Sequence, residues 1–206
     1  MGLFSSSPVT HLPPVKGRRL DGTDVRFPQD LPADATLLIL LFDDALDPLA
    51  DQWARLAERL AETHGDRFAA LELPVVGKQL KMLGDLGTLG IRGHIDDEAE
   101  RARTVPIFVD RTVFRKALKL DKRDVTVLLV ARDGRIAWRG EGNIDIEEIE
   151  TLEEAIAEVL AAPIPAPSDH PDLSDDGETV IDAADGEADE GPLIPDDGAN
   201  DETEEL

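Results

Sequence analysis

The clearest pattern in the chain is a series of short apolar runs separated by amphipathic stretches. Residues 37–42, which read Leu-Leu-Ile-Leu-Leu-Phe, form a continuous apolar run, and such a run is typical of a β-strand buried on both faces. Four further strands are predicted at residues 68–73, 104–109, 125–130 and 135–139, together with a small hairpin over residues 15–27.

A long helix is predicted directly after the central apolar run. Asp47 can cap its first turn, Pro48 suits the first helical position, and Gly65 is placed to end it. Its apolar face consists of side chains at spacings of four and three residues: Leu49, Trp53, Leu56 and Leu60. Two later helices are predicted at residues 111–120 and 145–160.

The resulting order is β-α-β, an insert, and then β-α-β-β-α, which is typical of an α/β domain with a central mixed sheet flanked by helices. Alternating strands and helices predict parallel pairing, and the Asp133-Gly134 pair predicts an antiparallel hairpin at one edge. We expect three regions: an irregular leader at residues 1–14, the domain at residues 15–161, and a C-terminal tail at residues 162–206.

The tail differs sharply from the domain in composition. It carries sixteen of the 45 Asp and Glu residues and none of the 21 Lys and Arg residues, so the domain retains 29 acidic against 21 basic residues. Because such a segment can bury little apolar surface, we expect it to be disordered. It serves either as a solvated entropic tail or as an arm that binds a basic partner.

Charge and motifs exclude several functions. A formal net charge of −24 argues against nucleic acid as a partner, because phosphate binding requires a basic surface. No apolar run reaches 18 residues, and the first residues lack the pattern of a secretory signal, so we expect no transmembrane segment and a cytoplasmic protein. Neither a glycine motif for phosphate nor a zinc-ligand pair of histidines is present, and no cofactor is expected.

Two segments carry a resemblance to a known superfamily. Val105-Pro-Ile-Phe-Val-Asp110 with its following helix, and the stretch from Val127 to Ile136, resemble the extra strand and closing hairpin of the peroxiredoxin-type branch of the thioredoxin-like superfamily. The resemblance implies catalytic cysteines within residues 43–48 and a cis-proline before the closing strand. The chain contains no cysteine, and Val125 stands at the proline position. Because disulfide exchange requires a thiolate, we expect neither oxidoreductase nor peroxidase activity.

A second resemblance concerns residues 133–142, Asp-Gly-Arg-Ile-Ala-Trp-Arg-Gly-Glu-Gly. This stretch is similar to the end of the mitochondrial ATP-synthase assembly-factor family, which has an Arg-x-x-Trp before a glycine-bounded turn and then an acidic last helix. The resemblance implies a non-catalytic, chaperone-like binding module that assists subunits of a membrane complex. Within the stretch, Trp138 is expected to be a core anchor or a cation–π partner.

Candidate binding residues are expected beyond the central strand, at one end of the sheet. Asp43, Asp44 and Asp47 could hold Mg²⁺ or Ca²⁺ in a metal-dependent enzyme, or could simply cap the helix and decorate a loop. A later segment could contact a membrane surface or a partner helix, or could form a lid, through Lys78, Leu80, Lys81, Leu83 and Leu86. Together with Val125 and Trp138, these residues form the predicted binding surface for a protein partner.

Deletion of residues 162–206 is expected to leave the melting temperature of the domain nearly unchanged, because the tail adds nothing to the apolar core. Thermal denaturation of the full chain and of a chain that ends at residue 161 measures the difference. A large fall in Tm on truncation would contradict the prediction.

Overall fold

A computed structural model describes residues 9–43, 47–78, 98–120 and 125–162, all of which belong to the unit Met1–Asp169. The strands are β1 (Val15–Arg18), β2 (Asp24–Phe27), β3 (Ala35–Leu41), β4 (Phe68–Gly77), β5 (Ile107–Val109), β6 (Thr126–Ala131) and β7 (Ile136–Glu141). The helices are α1 (Asp47–His64), α2 (Glu98–Arg103), α3 (Arg111–Leu118) and α4 (Ile146–Ala161). Residues 163–206 of the predicted tail lie outside the described residues.

The strands form one mixed seven-stranded sheet in the order β2-β1-β5-β4-β3-β6-β7. Strand β4 runs parallel to both β3 and β5, while β1 and β6 run antiparallel to their neighbours on both sides. The predicted central mixed sheet flanked by helices is therefore confirmed. Strand β4 is longer than its apolar pattern predicts, because its last residues, Val75 to Gly77, pair with β5.

The prediction of parallel pairing from alternation is wrong for β6. This strand runs antiparallel to β3, with Leu40 opposite Thr126 and Ala35 opposite Ala131. Helix α3 begins beside Phe42, just past the carboxyl end of β3, and the carbonyls of Leu118 and Lys119 at its other end accept from Arg139 of β7. The chain thus leaves β5 and enters β6 at the same end of the sheet, which forces β6 to run in the opposite direction.

Strand β3 is covered by apolar side chains on both faces, as its continuous apolar run predicts. Leu38 and Leu40 belong to a core that includes Phe114 of α3. Leu37 and Ile39 belong to a second core formed with α1 and α4. We call these two sides of the sheet the α3 face and the α1–α4 face.

The helix boundaries follow from local hydrogen bonds. Asp145 caps α4 through a capping box, in which its carboxylate accepts from the Glu148 backbone N–H at 2.8 Å and the Glu148 side chain accepts from the Asp145 N–H. Asp110 caps α3 by accepting from the backbone N–H groups of Thr112 and Val113, both at 3.0 Å. These caps determine the residue at which each helix begins.

Charged side chains join several elements near the amino end of β3. Asp34 accepts from Arg67 Nε at 3.0 Å and from Arg132 Nε at 3.2 Å, and only 16% of its side-chain surface is exposed. Arg67 also donates to the Leu160 carbonyl at the end of α4, at 2.7 Å. One carboxylate therefore connects the start of β4, the end of β6 and, through Arg67, the last turn of α4.

The two ends of α4 provide a matched test of the core. Leu152 is fully buried on the α1–α4 face, whereas Ile146, which periodicity places on the core face, is 75% exposed. Leu152→Ala is expected to lower the free energy of unfolding by about 2–5 kcal/mol, because it leaves a cavity in the core. Ile146→Ala is expected to change it by no more than about 0.5 kcal/mol.

Chemical denaturation of the two variants measures both values. Similar losses in the two variants would show that the α1–α4 face is not packed as described.

Candidate functional site

Three of the predicted binding positions lie at one end of the sheet, which we call the carboxyl end of β3. The pairing of Leu40 with Thr126 places Val125 there, beside the residues that follow Leu41. Strand β4 runs parallel to β3 and ends at Gly77, so the next residue, Lys78, lies at the same end. Asp43, Val125 and Lys78 thus share the location that the sequence predicts.

The side chain of Val125 is fully buried and belongs to the core on the α1–α4 face. Its carbonyl accepts a hydrogen bond from the Gly142 N–H at 2.9 Å. The Gly142 carbonyl in turn accepts from the indole Nε1 of Trp53, also at 2.9 Å. Val125 therefore contributes packing and a backbone anchor at this end of the sheet, and its side chain is not accessible to a partner.

Two arginines at the carboxyl end of β3, Arg111 and Arg115, are not among the site residues that the sequence predicts. Arg111 donates to the Phe42 carbonyl, and the Arg115 guanidinium carbon lies 4.1 Å from the centre of the Phe42 ring. The Phe42 ring also packs against Phe114, with 6.4 Å between ring centroids. We call Arg111 and Arg115 the arginine pair; one helical turn separates them, so both can contact Phe42, the residue after β3.

The surroundings of Arg115, which include the charge of Arg111, disfavour its positive charge. Burial, followed by the positive charge of Arg111, lowers the pKa of Arg115, and the negative charge of Asp43 partly offsets both effects. The Arg115 Nε atom is buried and has no hydrogen-bond partner among the described residues. The pattern that could have revealed the pair is its spacing of four residues directly after a capping Asp110.

The predicted metal site is not tested by the described residues. Asp43 is exposed, whereas Asp44 and the side chain of Asp47 lie outside the description. Within the described ranges, no group of three His, Cys, Asp or Glu side chains is arranged to hold a metal ion. The assignment of Mg²⁺ or Ca²⁺ to the three aspartates stays a prediction.

The leucine-bearing segment of the predicted binding surface is likewise untested. Lys78 is described and exposed, while the remaining predicted contacts lie within residues 79–97, outside the description: Leu80, Lys81, Leu83 and Leu86. Where the structure is described, no helix is both long and apolar enough to cross a lipid bilayer.

Trp138 lies away from the carboxyl end of β3, on the α1–α4 face. It pairs through β7 with Leu129, near the middle of β6. Its ring packs against Trp53 with 5.9 Å between centroids, and its Nε1 donates to the Thr151 hydroxyl at 3.1 Å. The residue joins β7 to α1 and α4, which is the anchoring role expected of it.

A largely buried carboxylate on β4 also escaped the sequence analysis. Glu72 accepts from Arg103 Nε of α2 at 2.6 Å, and Arg103 also contacts Glu58 of α1 at 3.4 Å. Burial raises the pKa of Glu72 above its ordinary value of 4.5, and the hydrogen bond and charge of Arg103 offset only part of that effect. The alternation along β4, in which Glu72 lies between Leu71 and Leu73, already indicates that it points to the α1–α4 face.

The sheet order, the two helical layers and the hairpin β6–β7 define a thioredoxin-like fold, and the chain has no cysteine. No protein-family model matches the chain, and no curated protein matches it either. Solved structures do match. A thioredoxin-like superfamily protein is similar with a TM-score of 0.52 and 17% identity over 76% of this chain and 99% of the other.

Two further solved structures that are similar to this chain are BsSco and Arabidopsis thaliana ScoI. BsSco, a member of the Sco family of cytochrome c oxidase assembly proteins, matches with a TM-score of 0.52 and 8% identity over 76% of this chain and 98% of its own. Arabidopsis thaliana ScoI, with copper bound, matches with a TM-score of 0.50 and 11% identity over 71% of this chain and 98% of its own. At these identities the likeness establishes the fold.

The raised pKa of Glu72 predicts a defined pH dependence of stability. Between pH 4.5 and the higher pKa of the folded protein, the unfolded chain loses its proton first, so this group lowers the free energy of unfolding as pH rises. Glu72→Gln removes that contribution. The stability of the native protein relative to the variant is therefore expected to fall as pH rises through this interval.

Denaturant titrations of both proteins from acidic to neutral pH measure the difference. Glu150→Gln, on the exposed side of α4, controls for the loss of one negative charge. A difference that stays constant with pH for Glu72→Gln would contradict the prediction.

Proposed function

We propose that the protein is a non-catalytic binding module with a thioredoxin-like fold that assists the assembly of a membrane complex. The observation that carries the proposal is a thioredoxin-like sheet, packed on both faces, in a chain without a single cysteine. The fold is therefore maintained without the thiol chemistry for which thioredoxins use it. The lack of cysteine favours a binding role over thiol exchange at the carboxyl end of β3.

The residues at that end support binding rather than thiol exchange. Asp43 is exposed, Phe42 is covered by the arginine pair, and Val125 is packed into the core. Asp43 and the arginine pair offer charge to a partner, whereas Val125 and Phe42 are buried and support this end of the sheet, and none of these side chains is a nucleophile of the thiol type. BsSco, whose fold is similar, is a member of the Sco family of cytochrome c oxidase assembly proteins, and this supports the choice of an assembly role here.

The contact with a membrane-complex subunit is assigned to the segment that begins at Lys78. Its leucines, together with its lysines, suit the apolar face and charged border of a partner helix. The acidic tail adds attraction for a partner with exposed Lys or Arg. The partner is thus expected to combine an amphipathic helix with a basic region.

A native pull-down tests the proposal. The tagged full-length protein is expected to recover a membrane-complex subunit from lysate of its own host, because its leucines bury apolar surface against the partner. The variant Leu80→Ser/Leu83→Ser/Leu86→Ser is expected to lose that partner, and the matched variant Leu80→Met/Leu83→Met/Leu86→Met is expected to keep it, because methionine retains the apolar contact.

Circular dichroism of each variant establishes that the domain is still folded. Equal recovery by the serine and methionine variants would refute the assigned contact, and recovery of no subunit at all would refute the assembly role. The same preparation is expected to neither reduce insulin nor consume peroxide above the rate in buffer, and turnover in either assay would be incompatible with a non-catalytic module.

A further inference from the structure

Both arginines of the pair are held by contacts with one residue, which is a feature of binding sites rather than of isolated surface charges. Both cations meet the same residue: Arg111 donates to the carbonyl of Phe42, and Arg115 stacks on its ring with the guanidinium carbon 4.1 Å from the ring centre. Phe42 itself is fixed between β3 and Phe114. The two guanidinium groups are thus held close together at the carboxyl end of β3 by one rigid aromatic residue.

Among the described residues, most hydrogen-bond donors of the arginine pair have no partner. A guanidinium group has five N–H donors, and Arg111 uses one hydrogen bond to reach the Phe42 carbonyl. Arg115 Nε is buried and has no hydrogen-bond partner within the described part of the chain, so a ligand can reach Arg115 only through its terminal nitrogens; neither arginine forms an ion pair with a described residue. The nearby carboxylate of Asp110 accepts from the backbone N–H groups of α3 instead.

The negative charge around the arginine pair determines which kind of anion can bind there. Asp43 lies close enough to act on the charge of Arg115, and the domain as a whole has 29 acidic against 21 basic residues. A phosphate concentrates up to two negative charges on one group and would be repelled more strongly than a carboxylate group, which carries one, even where a peptide has two separate carboxylates. A carboxylate also matches the planar fork of arginine, which can donate two parallel hydrogen bonds to it.

We infer that the arginine pair is the binding site for a carboxylate of an acidic peptide segment on the partner protein. The inference rests on the proposed function in assigning the carboxylate to a protein partner. The segment lies at the carboxyl end of β3, beside the exposed Asp43, and its carboxylate accepts hydrogen bonds from the terminal guanidinium nitrogens of Arg111 and Arg115.

Side-chain NMR of the ¹⁵N-labelled full-length protein tests the site directly. The probe is N-acetyl-Glu-Glu-amide, and its Gln-Gln analogue and inorganic phosphate are compared with it at constant ionic strength. The Nε–Hε signals of Arg111 and Arg115, assigned with single Gln variants, are expected to shift saturably with the diglutamate peptide. The Gln-Gln analogue is expected to cause no shift, and phosphate is expected to bind more weakly than the peptide.

Two double variants with the same spacing and charge change form the matched comparison. Arg111→Gln/Arg115→Gln is expected to weaken peptide binding by about tenfold or more, because charge-assisted hydrogen bonds are lost. Arg55→Gln/Arg59→Gln, an exposed pair on α1, is expected to bind like the native protein. Arg111→Lys/Arg115→Lys, which keeps the charge if the Gln variant does not fold, is expected to bind more weakly because lysine lacks the planar fork.

The following results would overturn the site: no saturable shift, equal losses in the two Gln pairs, equal binding by the lysine pair, or phosphate binding as tight as that of the peptide. The function and the site fail separately. A partner still recovered by Arg111→Gln/Arg115→Gln would overturn the assignment of its acidic segment and leave the assembly role intact. Peptide binding without any recovered partner would leave the carboxylate site and remove the assembly role.

Discussion

The burial of β3 on both faces is the constraint from which the rest of the architecture follows. A strand without a solvated face requires a helical layer on each side and a hydrogen-bonded neighbour at each edge. Strands β4 and β6 provide the two edges, α1 with α4 provides one layer, and α3 provides the other. The same constraint leaves only the ends of β3 available for polar chemistry.

The position of α3 links this constraint to the candidate site. The helix lies across the carboxyl end of β3, so its first two turns bring Arg111 and Arg115 onto Phe42 while Phe114 and Leu118 fill the core. One short helix thus determines the direction of β6 and supplies the cations beside Phe42. The direction of β6 and the position of the arginine pair therefore both depend on where α3 lies.

Most elements could be predicted from local patterns, whereas their contacts could not. The apolar run of β3 and the capped periodicity of α1 are local signals, and both elements form where they are expected. The antiparallel direction of β6 depends on where α3 packs, which no local pattern encodes. Arg111, Arg115 and Glu72 resemble ordinary surface charges in sequence, because their contacts with Phe42 and Arg103 come from elements distant in the chain.

The cluster around Asp34 shows how the opposite end of β3 is protected. Two arginines share one carboxylate, so the loss of either Arg67 or Arg132 still leaves Asp34 with a cation. The energies of such shared contacts are not additive. A single substitution of either arginine would leave Asp34 with one cation, but the element that carried the lost arginine would no longer be tied to the carboxylate. Loss of Arg67 would also remove the contact with the last turn of α4, so the two positions are not equivalent.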